Sequence, residues 1–273
     1  MERLANAIER AREAAHAAGE APPGGAPVSA VAARVRDTQS RAVAVSAAAL
    51  QARHVSGGHE RTPLAEAFKK LRTRLLQQLR ESGRNALGIA SPRAGEGKTT
   101  VALNLAVHAA MESDWTVLLV EADVRRPELC AALGLEPLPG LAEYLENDAP
   151  LERLLVHPGL GRCVLLPAGI AQPHSSELLA SARMQELAQE LRRRYPDRLV
   201  LYDLPPLLDA ADGIAVLPWV DALLLVVEEG RSQAEDVVRA AQLAGPRLLG
   251  TVLNKSREPQ HLALGAWWRK LLS

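Results

Sequence analysis

Aromatic side chains are scarce in this chain of 273 residues: one Phe, three Tyr and four Trp amount to 3% of it. Hydrophobic residues still reach 48%. Ala, Leu and Val must therefore fill the core, which suits helices packed on a buried parallel sheet. An excess of either charge is missing too, since Lys plus Arg and Asp plus Glu stand at 32 each. That balance gives no support to a surface that coats nucleic acid, so no nucleic-acid partner is expected. Cysteine is limited to Cys130 and Cys163, far apart and without metal-like spacing. They read as free thiols of a reducing cytoplasm, with a disulfide as the alternative. The first residues lack the apolar stretch of a signal peptide, because Glu2, Arg3, Glu9 and Arg10 interrupt it. No apolar run nears the roughly 20 residues needed to cross a bilayer. The longest, such as Ala222 to Val227, are strand-sized. A soluble, cytoplasmic protein is expected, meeting a membrane only through a partner or a surface helix.

What is present falls into three stretches. Residues 1–61 read as an arm, partly helical or flexible, with a plain linker as the equal alternative. Leu4, Ile8, Ala11 and Ala15 would share one face of a first helix over residues 1–18, and APPGGAP (Ala21 to Pro27) ends it. From Thr62 the pattern changes. A capping-box-like Thr62-Pro63-Leu64-Ala65-Glu66 opens a helix through Leu79, with Phe68, Leu71, Leu75 and Leu79 on one side. Strands are expected at Ala86–Ala90, Val117–Glu121, Val164–Pro167, Leu199–Asp203, Leu223–Val227 and Leu248–Leu253. Helices are expected at Thr99–Met111, Glu177–Tyr195 and Gln233–Ala244. Apolar strands alternating with amphipathic helices imply a mostly parallel central sheet covered on both faces. Residues 62–255 form this domain, and 256–273 a tail with a short amphipathic helix.

Three segments carry chemistry. In NALGIASPRAGEGKTTVALNLA an apolar strand runs into a glycine-containing loop and then a helix. Such a loop points backbone N–H groups and a helix N-terminus at one spot, which favours anionic oxygens. Gly95, Glu96, Gly97, Lys98, Thr99 and Thr100 are the expected phosphate-binding residues. Lys98 would reach the β- and γ-phosphates and the Thr99 hydroxyl would ligate Mg²⁺, the nucleotide being ATP. Pro92 stands where the strict motif has its first glycine. The second segment, VLLVEADVRRP, ends a strand in Glu121 and Asp123, and the third, LVLYDLPPLLDAAD, brings Asp203 to the same edge. Together they describe a P-loop NTPase three-layer sandwich. Asn254-Lys255, at the end of the last strand, is a candidate adenine contact.

The ordered set AEAFKKLRTRL, SPRAGEGKTT, VLLVEADVRRP, PGLAEYL, LLPAG, SSELLAS and YDLPP resembles the bacterial tyrosine kinase family, P-loop kinases of capsular and exopolysaccharide synthesis. The resemblance runs on through DGIAVLPWVDALLLVVEEG to LGTVLNK, over about residues 62 to 255. It implies phosphoryl transfer from Mg·ATP to protein tyrosine, with Lys98, Glu121, Asp123 and Asp203 as the catalytic set. Thr99, Asp123 and Asp203 would hold the metal, while Glu121 would help deprotonate the acceptor tyrosine. Glu66, Lys69 and Arg72 match a motif that joins subunits into homo-oligomeric rings, with Lys69 in place of Arg. The implied partner is a membrane chain-length regulator, a polysaccharide co-polymerase, that holds the chain at the inner face of the plasma membrane.

Departures from the family pattern are equally specific. Glu121 replaces an Asp, and the family's C-terminal tyrosine cluster is absent. Only Tyr144, Tyr195 and Tyr202 exist, and none follows Lys255, so an acceptor tyrosine is expected on another protein. The tail HLALGAWWRKLLS reads as a terminal helix docked on its own domain, or as a docking or interfacial peptide. His174 and Ser176 before Glu177 read as a loop and helix cap, with no acid to complete a hydrolase triad. Three alternatives stay open: a kinase-inactive ATPase switch of the same pathway, a MinD/ParA-like positioning ATPase, and a module with a dead nucleotide site. In the second, Arg93 takes the place of the signature lysine.

Overall fold

A computed structural model describes residues 41–57, 60–112, 115–147, 149–194 and 198–256. The expected arm helix over 1–18, Tyr195 and the tail with its two tryptophans lie outside the described residues. The six expected apolar runs all become strands of one sheet: β2 (Ala86–Ala90), β3 (Thr116–Glu121), β5 (Cys163–Leu166), β6 (Arg198–Asp203), β7 (Ala222–Glu228) and β8 (Leu248–Asn254). Two short strands, β1 (Arg41–Ala42) and β4 (Val156–His157), complete it in the order β1-β4-β5-β3-β6-β2-β7-β8. Neighbours are parallel except β4, which runs antiparallel to β5. Every residue of β2, β5 and β6 is buried, which explains the absence of polar alternation in their sequences.

Helices α2 (Pro63–Glu81) and α3 (Lys98–Ala110) share one apolar cluster with alternate sheet residues. Phe68, Leu71, Leu75 and Leu79 of α2 meet Leu103 and Val107 of α3, above Leu87, Leu119 and Leu201 of the strands. Period two along a strand and the i, i+3, i+4 stripe of a helix make this fit possible. Thr62 caps α2 by accepting a hydrogen bond from the Ala65 N–H at 3.2 Å, and Pro63 occupies the first helical position.

Two boundaries differ from expectation. Folding begins before Thr62: β1 joins the sheet edge, and a short helix α1 (Ala47–Ala52) follows, capped by Ser46. Leu50 and Val55 are buried here, and Ser56 is held by α3, so the segment packs through few apolar groups. The single helix expected over 177–195 is two, Ser175–Leu179 and Ala182–Arg194. Between them Ser181 accepts a hydrogen bond from the Met184 N–H at 3.2 Å, which starts the second helix afresh. Cys130 and Cys163 are both free thiols, and burial pushes Cys163 up to about 12.

Candidate nucleotide site

Parallel strands end together, so the register decides what meets at the carboxyl edge. Ile89 of β2 pairs with Asp203 of β6, and Asp203 in turn pairs with Glu121 of β3. Just beyond β2 the chain turns through Gly95 and Gly97, both at positive φ, into α3. A side chain at Gly97 would be strained at φ 93 and would displace Asn254, because a Cβ would lie 2.1 Å from that amide nitrogen. Lys98, at the first turn of α3, is 5% exposed.

The Lys98 Nζ stands 2.9 Å from Asp123 Oδ2 and 3.8 Å from Asp203 Oδ1. Thr99 is beside it, with Oγ1 3.5 Å from the same nitrogen. Burial lowers the Lys98 pKa, but Asp203 and Asp123 outweigh it and hold the ammonium above the usual lysine range. Both Asp203 carboxylate oxygens are buried and make no full hydrogen bond, though the Lys98 ammonium and the Thr99 hydroxyl face them. Burial raises this carboxyl to about 6, against the pull of Lys98. An under-bonded buried carboxylate next to a hydroxyl and a second acid is the donor set a divalent cation takes when phosphate oxygens and water complete its shell. Among the described residues no group of three His, Cys, Asp or Glu could hold a metal by itself. Mg²⁺ brought in with phosphates therefore fits these residues.

Glu121 is placed differently from its expected role. Its Oε1 accepts hydrogen bonds from the N–H groups of Glu128 (2.5 Å) and Leu129 (2.6 Å), and Oε2 from that of Ala168 (2.9 Å). Burial pushes the carboxyl up to about 7, while the three donors favour its charged form. With both oxygens engaged by backbone, the group closes the 121–128 loop that carries Asp123. It is not presented to an acceptor hydroxyl in this conformation. The extra methylene of Glu over Asp supplies the reach.

The outer side of the phosphate loop is held as firmly. The Glu96 carboxylate accepts from the Arg93 N–H at 3.0 Å and from the Ser232 hydroxyl. Asn254 Nδ2 donates to the Glu96 carbonyl at 2.8 Å, and Lys255 Nζ to the Gly95 carbonyl at 2.9 Å. Arg93 is engaged within its own chain by Asp236 (2.9 Å) and Asp209 (3.2 Å). Thr100 offers its carbonyl to Asn104 Nδ2 at 2.9 Å. Glu66 and Lys69 pair with each other on the exposed face of α2, apart from the phosphate loop. Arg72 instead turns inward to Glu112 (2.7 Å) and the His108 carbonyl (3.3 Å).

One cluster escaped sequence reading. Buried Asp212 accepts both Nε (3.0 Å) and Nη2 (3.2 Å) of Arg125 and the Ser175 hydroxyl, tying the loop after β3 to two later helices.

Strand, glycine loop, helix and convergent acids define a phosphate-binding P-loop domain. The family model described as "CobQ/CobB/MinD/ParA nucleotide binding domain" matches residues 87–267. The chain is 30% identical over 209 residues to "Tyrosine-protein kinase YwqD" of Bacillus subtilis, covering 76% of this chain and 87% of that one. It is 34% identical over 202 residues to "Succinoglycan biosynthesis transport protein ExoP" of Rhizobium meliloti, covering 72% of this chain but only 25% of the relative. The solved kinase domain of the Escherichia coli tyrosine kinase ETK superposes with a TM-score of 0.64 at 32% identity, over 74% of this chain and 80% of that domain. The chain thus belongs to the CobQ/CobB/MinD/ParA nucleotide-binding family and, within it, to the bacterial tyrosine kinases.

Proposed function

We propose that the chain binds Mg·ATP at the Lys98 loop and transfers the γ-phosphoryl group to a tyrosine of another protein in exopolysaccharide or capsule assembly. The observation that carries this reading is the Lys98 ammonium lodged between Asp123 and Asp203 while neither Asp203 oxygen makes a full hydrogen bond. In this reading Lys98 leaves Asp123 for the phosphates. Thr99, Asp123 and Asp203 hold Mg²⁺, which neutralises phosphate charge when bound. The loop amides position the transferring group. Phosphoryl transfer has a loose transition state and asks mainly for position and charge, so the engaged Glu121 does not preclude it. An acceptor in trans accords with Tyr202, which is fully buried, and with Tyr144, which lies under the Arg183 guanidinium at 4.6 Å.

Likeness to ExoP, whose name speaks of succinoglycan biosynthesis and transport, supports the pathway, and a membrane chain-length regulator is the partner proposed within it. Among the described residues no helix is long and apolar enough to cross a membrane, in keeping with a cytoplasmic chain held at the inner face by that partner. Homo-oligomerisation would use Glu66 and Lys69, and Arg72 would first have to leave Glu112.

A second reading, a kinase-inactive ATPase switch, is favoured by the backbone occupation of Glu121. Incubation with γ-labelled ATP and a tyrosine-containing protein separates the two. Label on tyrosine supports the kinase, whereas phosphate release without labelled protein supports the switch. A MinD/ParA-like use of Arg93 across a dimer fits less well, since its guanidinium is fastened to Asp209 and Asp236 of its own chain.

A further inference from the structure

The expected adenine contact, Asn254, commits one of its two amide hydrogens to the phosphate loop. Its nitrogen donates to the Glu96 carbonyl at 2.8 Å, so the reversed amide, with oxygen facing oxygen, is ruled out. It lies so close to Gly97 that a Cβ there would displace it. The next residue, Lys255, adopts a left-handed backbone at φ 57 and sends Nζ to the Gly95 carbonyl at 2.9 Å. Glu228 holds that ammonium from the other side, also at 2.9 Å. Two consecutive loop carbonyls are therefore drawn toward the end of β8. A trans peptide is planar, and its N–H points opposite to its C=O. Fixing the carbonyls of Gly95 and Glu96 on one side turns the N–H groups of Glu96 and Gly97 to the other. These are two of the loop amides on which the phosphate-binding reading relies.

From this we infer that Asn254 and Lys255 are positioning residues: their contribution to nucleotide affinity comes from aiming the phosphate-loop amides. The inference rests on the nucleotide-binding reading above and deepens it. Its consequence is that β8 tunes affinity for the polyphosphate itself, whichever base is attached.

Calorimetric titration of the full chain with Mg·ATP and, separately, with Mg-tripolyphosphate, which has no base, tests this. Asn254→Ala and Lys255→Met should each weaken both ligands by a similar factor, about tenfold for one lost hydrogen bond to a loop carbonyl. Lys255→Arg, which keeps a donor, should recover part of the loss. A loss for ATP with tripolyphosphate unchanged would make Asn254 a base contact and overturn the inference. Unchanged binding of both ligands would do the same, as would a wild type that binds ATP but ignores tripolyphosphate. A wild type that binds neither sinks the nucleotide-binding reading itself, a separate outcome. Should Asn254→Ala lose its cooperative melting transition, the Lys255 pair decides alone, because that side chain is 46% exposed and its removal leaves the core untouched.

Discussion

At its start α3 presents Lys98 to Asp123 and Asp203, while toward its other end Asn104 and His108 face the segment before α2. Both regions are polar and buried, yet they are finished differently. At the far end Asn104 accepts from the Ser56 N–H and donates to the His54 and Thr100 carbonyls, each at 2.9 Å. The Ser56 hydroxyl meets His108 Nε2 at 2.9 Å, and only Nδ1 of that ring lacks a partner. Burial, helped by Arg72 and Lys69, lowers His108 to about 4, so the ring is neutral near pH 7. At the near end two carboxylate oxygens are left without a full hydrogen bond. An unpartnered neutral nitrogen is a small cost, whereas an unpartnered carboxylate is a large one. The difference separates a polar cluster that holds the chain together from one that awaits a ligand.

The comparison can be broken most severely at Lys98. Lys98→Ala should reduce phosphoryl transfer or ATP hydrolysis by about a hundredfold or more, since it removes the positive charge among the phosphates. Assays of ADP formation with saturating Mg²⁺ would read this, and retention of near-full activity would undo the site assignment. Next in size, Asp203→Asn should abolish Mg²⁺-dependent nucleotide binding yet raise the melting temperature of the ligand-free protein. Relief of a buried charge whose cation, Lys98, stands nearer to Asp123 should contribute on the order of 1–3 kcal/mol. A lower melting temperature would mean that Asp203 is already satisfied, and the contrast between the two ends of α3 would vanish.

The smallest effect is on pH dependence, where the two ends should pull in opposite directions. His108 is depressed to about 4, so its contribution is present above about 6.5 and is lost as pH falls toward 4. Asp203 is raised to about 6, so its contribution is present below about 4 and is lost as pH rises through 6. Glu121, raised to about 7, acts in the same direction as Asp203. His108→Gln should therefore gain relative to wild type on acidification from pH 7 to 5, and Asp203→Asn should lose. The differences should be about 1–2 kcal/mol in urea-derived stability. Parallel pH curves for both variants would remove titration as the distinction between the clusters.

The central strands were legible in sequence because they are buried on both faces and so read as apolar runs, while β8 at the sheet edge, only partly buried, was legible from its Leu and Val residues. That Lys98, Asp123 and Asp203 meet at one sheet edge was legible because parallel strands bring their carboxyl ends together beside the glycine loop. The segment 41–57 was not, since it buries Leu50 and Val55 and otherwise attaches through hydrogen bonds to Asn104 and His108. Nor was the orientation of Glu121. A strand-end acid announces its position, but the amides it accepts come from Glu128, Leu129 and Ala168, which only the folded chain brings near. For Asn254, likewise, the place at the edge was readable and the Glu96 carbonyl as partner was not.

The sheet order has a consequence for how this protein comes into being. Strand β2, which leads into the phosphate loop, pairs Ala86 with Val200 and Leu87 with Ala222, so both of its neighbours are made much later in the chain. Non-local pairings of this kind slow folding, because loop closure precedes the contacts that stabilise it. During synthesis the loop sequence has no strand on either side of β2 until β6 and β7 have left the ribosome. The last strand, β8, then supplies Asn254 to lock it. The loop is thus translated well before the strands that complete the nucleotide site.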